Sequence, residues 1–374
     1  MSSISIVQLG IPQSLQAPGA GPFVAAAELA NLVERDTQGS GDFATSPAAA
    51  LARAQRQDYD EKLLLAAYDG GELVGRASLN LPLADNLHLA DLHIQVHPDH
   101  RRRGAGSALL ARATELARER GRTVLCGWSD HLEQPGTEAA GRTLVATTGA
   151  GSVSLEAAAA GFAVAHGFVL EQVDKISVLH LAAPGPGQAE DPAVEPPLDS
   201  RGGFELLLWN GRCPEAVLEA YADLRRRMST EVPLGGLDLH EERWDGARVR
   251  AEEDEVAAKG SSLLVAVARE AATGALAGHT VLEHSPDVPA VAFQNDTLVL
   301  PSYRGHGLGR RMKDANLAAA GREWPTVERI YTFNAEENAN MLAINIAMGF
   351  VRAGATATWQ KILAAPQGPP MGEP

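Results

Sequence analysis

The chain has 374 residues, about twice the usual domain size, so two folded units are expected rather than one. Apolar residues make up 45% and charged residues 21%, as in soluble globular proteins, and no run approaches the ~18 apolar residues that a membrane span needs. With 32 basic and 47 acidic residues the formal charge is −15, the wrong sign for a protein that binds by neutralising phosphate backbones, so no nucleic-acid partner and no membrane partner is expected. Two cysteines, Cys126 and Cys213, cannot build a disulfide framework or a cysteine-rich metal site, and the polar start MSSISIVQLG lacks the basic and apolar regions of a signal peptide. A cytoplasmic protein is expected.

Taken in chain order, the first half offers GELVGRASL from Gly71, the strand-like LHIQVHP, the loop Arg101-Arg102-Arg103-Gly104-Ala105-Gly106 and an amphipathic helix. GWSDHLEQPGTEAAGRTL then reads as a polar loop, and HGF at His166 to Phe168 closes the unit. Residues 182–203 crowd proline, glycine and acidic residues together without apolar periodicity, which predicts an interdomain linker. The second half begins with a strand FELLLWN from Phe204 and a helix carrying Val217, Tyr221 and Leu224 on one face. A hairpin SSLLVAVARE and GALAGHTVLEH follows, then a strand DTLVLP, a glycine loop, and a helix with Leu308, Met312, Ala315 and Ala319 on one face. RIYTF from Arg329, a short helix ANMLAINIAM and a last strand around Thr356 to Lys361 complete it, and residues 365–374 are expected to be disordered. The folded units are therefore 1–181 and 204–364, each an α/β unit built on a central sheet.

The two halves repeat. Gly75 and Gly278 are 203 positions apart, and the same offset relates Pro98 to Pro301, Gly104 to Gly307 and Gly106 to Gly309. In each copy an apolar strand ending in proline leads into R-x-x-G-x-G and then a helix. Glycines let backbone N–H groups approach a ligand, and the helix start adds positive potential, so each loop suits a diphosphate. The order is not the G-x-G-x-x-G of a dinucleotide fold.

R-x-x-G-x-G between strand and helix resembles the acetyl-CoA diphosphate loop of the GNAT superfamily of acyltransferases. Downstream, Asn338, Met341, Ile344, Asn345, Gly349 and Phe350 occupy the positions of that family's N-x-x-A-x-x-L-Y-x-x-x-G-F, with asparagine in place of the tyrosine. The whole resembles a tandem GNAT protein of actinobacterial type, the arrangement also seen in mycothiol synthase. The resemblance implies two GNAT folds, each a mixed, mostly antiparallel sheet flanked by helices, and acetyl-CoA as cofactor. It implies that Leu298, Val299 and Leu300 meet the pantetheine arm, that Arg304, Gly305, His306, Gly307, Leu308, Gly309 and Arg310 hold the diphosphate, and that Asn338 binds the pantetheine further along; Asn334, at the end of RIYTF, is a candidate either for capping the following helix or for lining the cofactor cleft. In the first half Val96, Arg101, Arg102, Arg103, Gly104, Ala105, Gly106 and Ser107 correspond. No metal is implied.

Direct attack of an amine on a thioester needs a base, for which Asp296 is the first candidate and Glu283, His284 and Glu336 are alternatives. Asn345 is a candidate for positioning the sulfur or a water, and Tyr331 for the acid. Glu156 and Ala163 stand in the first half where Asn338 and Asn345 stand in the second, so the second half is expected to be catalytic and the first degenerate. The expected reaction is acetylation of a small cationic amine by a monomer or homodimer; non-catalytic acyl-CoA binding and protein or peptide N-acetylation are the rivals. Arg225-Arg226-Arg227 reads as a solvated helix face. His93 and His97 lie about 13 Å apart on a strand, too far to share a metal.

Overall fold

The computed structural model describes residues 4–132, 142–181 and 201–363. The first half runs β1 (Ile4–Leu9), α1 (Gly21–Gln38), α2 (Pro47–Gln55), β2 (Asp60–Asp69), β3 (Glu72–Pro82), β4 (Leu89–Val96), α3 (Ala105–Glu119), β5 (Val124–Leu132), β6 (Thr143–Val145), β7 (Ser152–Ser154), α4 (Ala158–Ala165) and β8 (Val169–His180). The second runs β9 (Phe204–Asn210), α5 (Leu218–Glu231), α6 (Gly246–Ala258), β10 (Ser262–Glu270), β11 (Leu276–His284), β12 (Val291–Val299), α7 (Leu308–Glu323), β13 (Arg329–Ala335), α8 (Ala339–Ala347) and β14 (Val351–Ile362). The expected linker, apart from a short turn at 201–203, and the expected disordered tail lie outside the described residues. The first six residues of the expected polar loop, Gly127 to Leu132, belong instead to β5. They are held there by pairing with β14.

Local chemistry explains several helix starts. Ser46 accepts from the Ala49 N–H at 3.2 Å and Asp245 from the Arg248 N–H at 2.9 Å, so α2 and α6 are capped by side chains. The helices then cover the sheet. Leu109, Ala113 and Leu116 of α3 pack on Leu65, Val74 and Leu79, while Leu308 and Met312 of α7 pack on Leu206, Ala266 and Ala277. At the repeated glycine the reason is close approach: a Cβ on Gly278 would lie 2.3 Å from the Leu298 carbonyl oxygen of the neighbouring strand.

Twelve strands form one sheet in the order β1-β2-β3-β4-β5-β14-β8-β13-β12-β11-β10-β9. The β4–β5 and β12–β13 pairs are parallel and every other pair is antiparallel. Reading inward from either edge gives the same sequence of repeats until the centre, where the two halves have exchanged their last strands. β14, from the second half, lies between β5 and β8. β8, from the first half, pairs with β13. Ala355, Ala357 and Trp359 of β14 pack against Ala160, Ala163, Leu170 and Val173, and the Trp359 indole N–H donates to Ser129 Oγ at 2.8 Å.

A residue near the end of the second half thus holds the first half together. Trp359→Ala should cost about 3–5 kcal/mol, the range for buried Trp-to-Ala truncations. Thermal melting followed with the first-half Trp128 as probe should report the loss; an unchanged melting temperature would show that β14 is not part of that core.

Candidate active site

Both helices that follow the glycine loops begin without a side-chain cap. Gly104 before α3 has φ 94° and Gly307 before α7 has φ 69°, both left-handed, and Gly305 and Arg102 share that region at 87° and 65°. The first-turn N–H groups are therefore free of side-chain caps and suited to an anion. Two residues further, a Cβ on Gly106 would come within 3.2 Å of Phe162, so this glycine lets α3 approach α4, while a Cβ on Gly309 would only touch Ile344 of α8 at 3.4 Å. The arginines of the motif brace the strand ends. Arg101 Nε donates to the Val96 carbonyl at 3.3 Å and Arg304 Nε to that of Val299 at 3.1 Å. Arg102 and Arg103 are exposed and form no ion pair among the described residues. The two loops fit a diphosphate by backbone geometry first and by charge second.

Beyond each loop the central strands splay. β12 pairs with β13 over Val291 to Gln294, and β4 with β5 over Leu89 to Asp91; after that the partners separate. In the second half β12 also bulges: Thr280 faces Thr297 and Leu282 faces Gln294, so Asn295 and Asp296 together oppose the single residue Val281. β4 pairs with β3 from Gly75–Val96 to Asn80–Asp91 without a break in register. Asp296 was expected to open its strand; it is the sixth residue of β12 and is turned out by this bulge.

A cavity of about 510 Å3 lies beside the splay in the second half, lined by Asp174, Arg225, Glu252, Glu283, Asp296 and Asn334 among others. Arg225 is not on a solvated face. Its guanidinium pairs with Asp296 at 3.2 Å and Glu252 at 2.9 Å and stacks on Trp244 at 4.4 Å. Burial opposes that charge, but Asp296 and Glu252 outweigh it and hold the group protonated beyond the ordinary arginine range. Arg226 and Arg227 do face outward, paired with Asp223. Glu283 pairs with Lys259 at 3.3 Å and accepts from the Asn295 amide at 3.1 Å. Asp174, carried into this cavity by the exchanged strand β8, is pushed up to about 6 by burial and then by Glu337 and Glu336.

The other expected residues divide between the cavity and its surroundings. Asn338 lines the cavity and caps α8 by accepting from the Met341 N–H at 3.2 Å. Asn345 does not face the cavity. It is 2% exposed, donates to Asn334 Oδ1 at 2.6 Å and accepts from Lys313 Nζ at 3.0 Å. Tyr331 is turned away as well: its hydroxyl donates to Asp42 of the first half at 2.7 Å, and burial followed by that bond raises it above its ordinary range, which does not suit a proton donor. His284 stacks on Trp324, and Glu336 pairs with Lys175 and Arg352. His306 is exposed beside Phe204, 5.2 Å between ring centroids.

The first half holds the larger cleft, about 1250 Å3, running from the loop residues Arg101, Arg102 and Gly104 to Ser107 to Glu34, Asp130 and His131. Its far wall is Arg352, Gly354, Ala355 and Trp359 of β14. The Gln38 amide donates to Asp130 at 2.8 Å and Glu34 at 3.3 Å, and burial followed by the Asp130 charge pushes Glu34 up to about 7. Asp174, Glu34 and Lys313 escaped the sequence reading because each sits in an apolar or ordinary surface pattern and becomes significant only through its neighbours.

A family model described as the Acetyltransferase (GNAT) family matches residues 27–136 and again 222–350. The chain belongs to the GNAT acetyltransferase family. It is a tandem GNAT N-acetyltransferase, and the sheet and helices described above are two such folds. The chain is similar over 98% of its length to a tandem GNAT protein from the clavulanic acid biosynthesis pathway, at 26% identity, 100% coverage of that chain and a TM-score of 0.73. It shares the fold of a GCN5-related N-acetyltransferase from Sphaerobacter thermophilus at 14% identity, with 96% of each chain covered and a TM-score of 0.61. No curated protein sequence matches it. No helix among the described residues of this tandem GNAT is long and apolar enough to cross a membrane.

Lys313 gives a test of the chain Lys313–Asn345–Asn334 behind the cavity. The lysine is 1% exposed, and burial lowers it from 10.5 to about 7. The unfolded chain then binds the extra proton between those values, so this group makes stability rise with pH from about 7 toward 10.5. Lys313→Met should remove that rise, and the difference in melting temperature between the two proteins should change sign or narrow as pH increases from 7 to 9. Parallel curves would show that Lys313 is solvated in the native state.

Proposed function

We propose that the protein transfers an acetyl group from acetyl-CoA to the primary amine of a small cationic molecule in the second-half cavity. The observation that carries this reading is charge: Asp174, Glu252, Glu283 and Asp296 line that cavity against the single guanidinium of Arg225, so a cationic acceptor is favoured. The loop from Arg304 to Arg310 would hold the diphosphate, the backbone of Leu298 to Leu300 the pantetheine arm, with Asn334 and Asn338 beside it. Acetyl-CoA supplies an acetyl group activated as a thioester. The chain supplies orientation and proton removal. Asp296, fixed by Arg225, orients the incoming ammonium, and Asp174 accepts its proton.

Asp174→Asn should lower kcat/KM by roughly 10²–10⁴ and remove the rise in rate as pH increases through about 6. Asp296→Asn should act mainly on KM for the acceptor. If Asp296→Asn instead removes the acidic limb and Asp174→Asn leaves it, Asp296 is the base. At pH 7 Asp174→Asn should also melt higher than the unaltered protein, because a carboxyl raised on folding costs stability once ionised.

A second reading is favoured by the first-half cleft, whose Glu34, raised to about 7, is placed to accept a proton there. Gly307→Val should weaken acetyl-CoA binding at the second loop at least tenfold, and Gly104→Val at the first. Turnover that survives Gly307→Val and falls with Glu34→Gln would move the chemistry to the first half.

A further inference from the structure

The segment between α5 and α6, residues 232–245, has no helix or strand of its own. It nevertheless forms one wall of the second-half cavity through Val232, Pro233, Leu234, Leu237 and Leu239. Most of its anchors lie in the first half or on β14. Gln172 donates to the Pro233 carbonyl at 3.0 Å, and the Asp238 N–H donates to Gln360 Oε1 at 2.7 Å. Asn86, in the left-handed region at φ 47°, accepts from the His240 N–H at 2.7 Å and donates to the His240 carbonyl at 3.2 Å. The backbone of His240 is therefore clamped to the turn that carries His88.

At this seam three metal-binding side chains converge. His88 Nε2 lies 3.4 Å from one carboxylate oxygen of Asp238, and His240 Nε2 lies 3.4 Å from the other. One donor atom from each residue falls within 4.8 Å of the other two. The imidazole rings stand 4.7 Å apart at 32°. We propose that His88, Asp238 and His240 bind a divalent transition-metal ion of the zinc class, which fastens the wall of the second-half cavity to the first half.

The chemistry of the donors supports this. Two imidazoles and a carboxylate suit zinc and its neighbours, whereas calcium and magnesium prefer all-oxygen sites. A tetrahedral ion with bonds of 2.0–2.1 Å separates its donors by about 3.3–3.4 Å; each imidazole already lies 3.4 Å from one oxygen of Asp238, and with one donor atom per residue all three fall within 4.8 Å, so small side-chain shifts would close the site. His88 Nε2 donates to the Asp238 carbonyl at 2.9 Å, a hydrogen bond that ligation through this nitrogen would replace. The other imidazole pair, His97 and His100, shows the contrast: its rings meet edge to face, and the two turn to different carboxylates, Asp99 and Glu72. The exposed position of Asp238 and His240 leaves room for water as the remaining ligand.

The test uses the full chain freed of metal by chelation and titrated with zinc chloride by calorimetry. One zinc per chain is expected, with affinity lowered at least tenfold in His240→Ala and in His88→Ala. His240→Ala removes an exposed side chain, so its metal-free melting temperature should match that of the parent. Cobalt(II) should give visible bands of tetrahedral strength in the parent and not in the variants. Zinc should also slow limited proteolysis between residues 232 and 245 in the parent alone. Equal zinc affinity in parent and variants, or binding weaker than millimolar, would overturn the site. Normal zinc binding without protection of the segment would overturn the fastening.

Discussion

The exchange of β8 and β14 is the constraint on which the rest of the molecule depends. Without it each half would end its own sheet, and each cleft would be walled by its own last strand. With it, the far wall of the first-half cleft is Arg352, Gly354, Ala355 and Trp359, and the second-half cavity receives Gln172 and Asp174. Neither half can leave the other without exposing a strand edge and opening a core, so both clefts stand or fall with a single twelve-stranded sheet.

Both clefts arise from the same physical step. A parallel strand pair is kept short, and the strands then part, leaving backbone groups that no sheet neighbour satisfies. A helix start without a side-chain cap follows at the end of one strand, so the parted strands and the uncapped helix start lie at the same end of each central pair. The halves diverge in detail. The bulge at Asn295 and Asp296 turns polar side chains toward the second-half cavity, whereas β4 remains regular and the first half gathers its carboxylates from α1 and β5 instead.

The repeat, the loops and most second-half elements were legible because they rest on local signals: glycines that need left-handed backbone, proline at a strand end, and period-two or period-3.6 burial. FELLLWN is strand β9 as read, and the helix after the loop runs Leu308–Glu323. The exchange was not legible, since a strand shows the same apolar pattern whichever half it pairs with. The bulge hid the first residues of β12, because Gln294, Asn295 and Asp296 together look like a polar approach to a strand. Arg225 was hidden by its neighbours: in a run of three arginines a helix turns each residue about 100° from the last, and only the first points inward. The loop arginines Arg101 and Arg304 were found, but their work is to brace the strand ends by hydrogen bonds to Val96 and Val299.

The charge balance of the second-half cavity shows where a cation gains most. Arg225 already compensates Asp296 and Glu252, and Lys259 compensates Glu283. Glu336, nearby, is matched by Lys175 and Arg352. Asp174 has no ion pair among the described residues, and the acidic groups next to it raise rather than lower its proton affinity. Glu337 adds to this, with Oε1 bonded to Gln172 and Oε2 buried without a partner. On the proposed function, an ammonium oriented by Asp296 would also meet an uncompensated attraction at Asp174, and its charge would lower the affinity of that carboxylate for a proton. Deprotonation of the amine reverses this, since the proton leaves the nitrogen for a group whose burial favours the neutral form. On the proposed function, recognition of a cation and removal of its proton would draw on one electrostatic arrangement, to which the first half contributes Asp174.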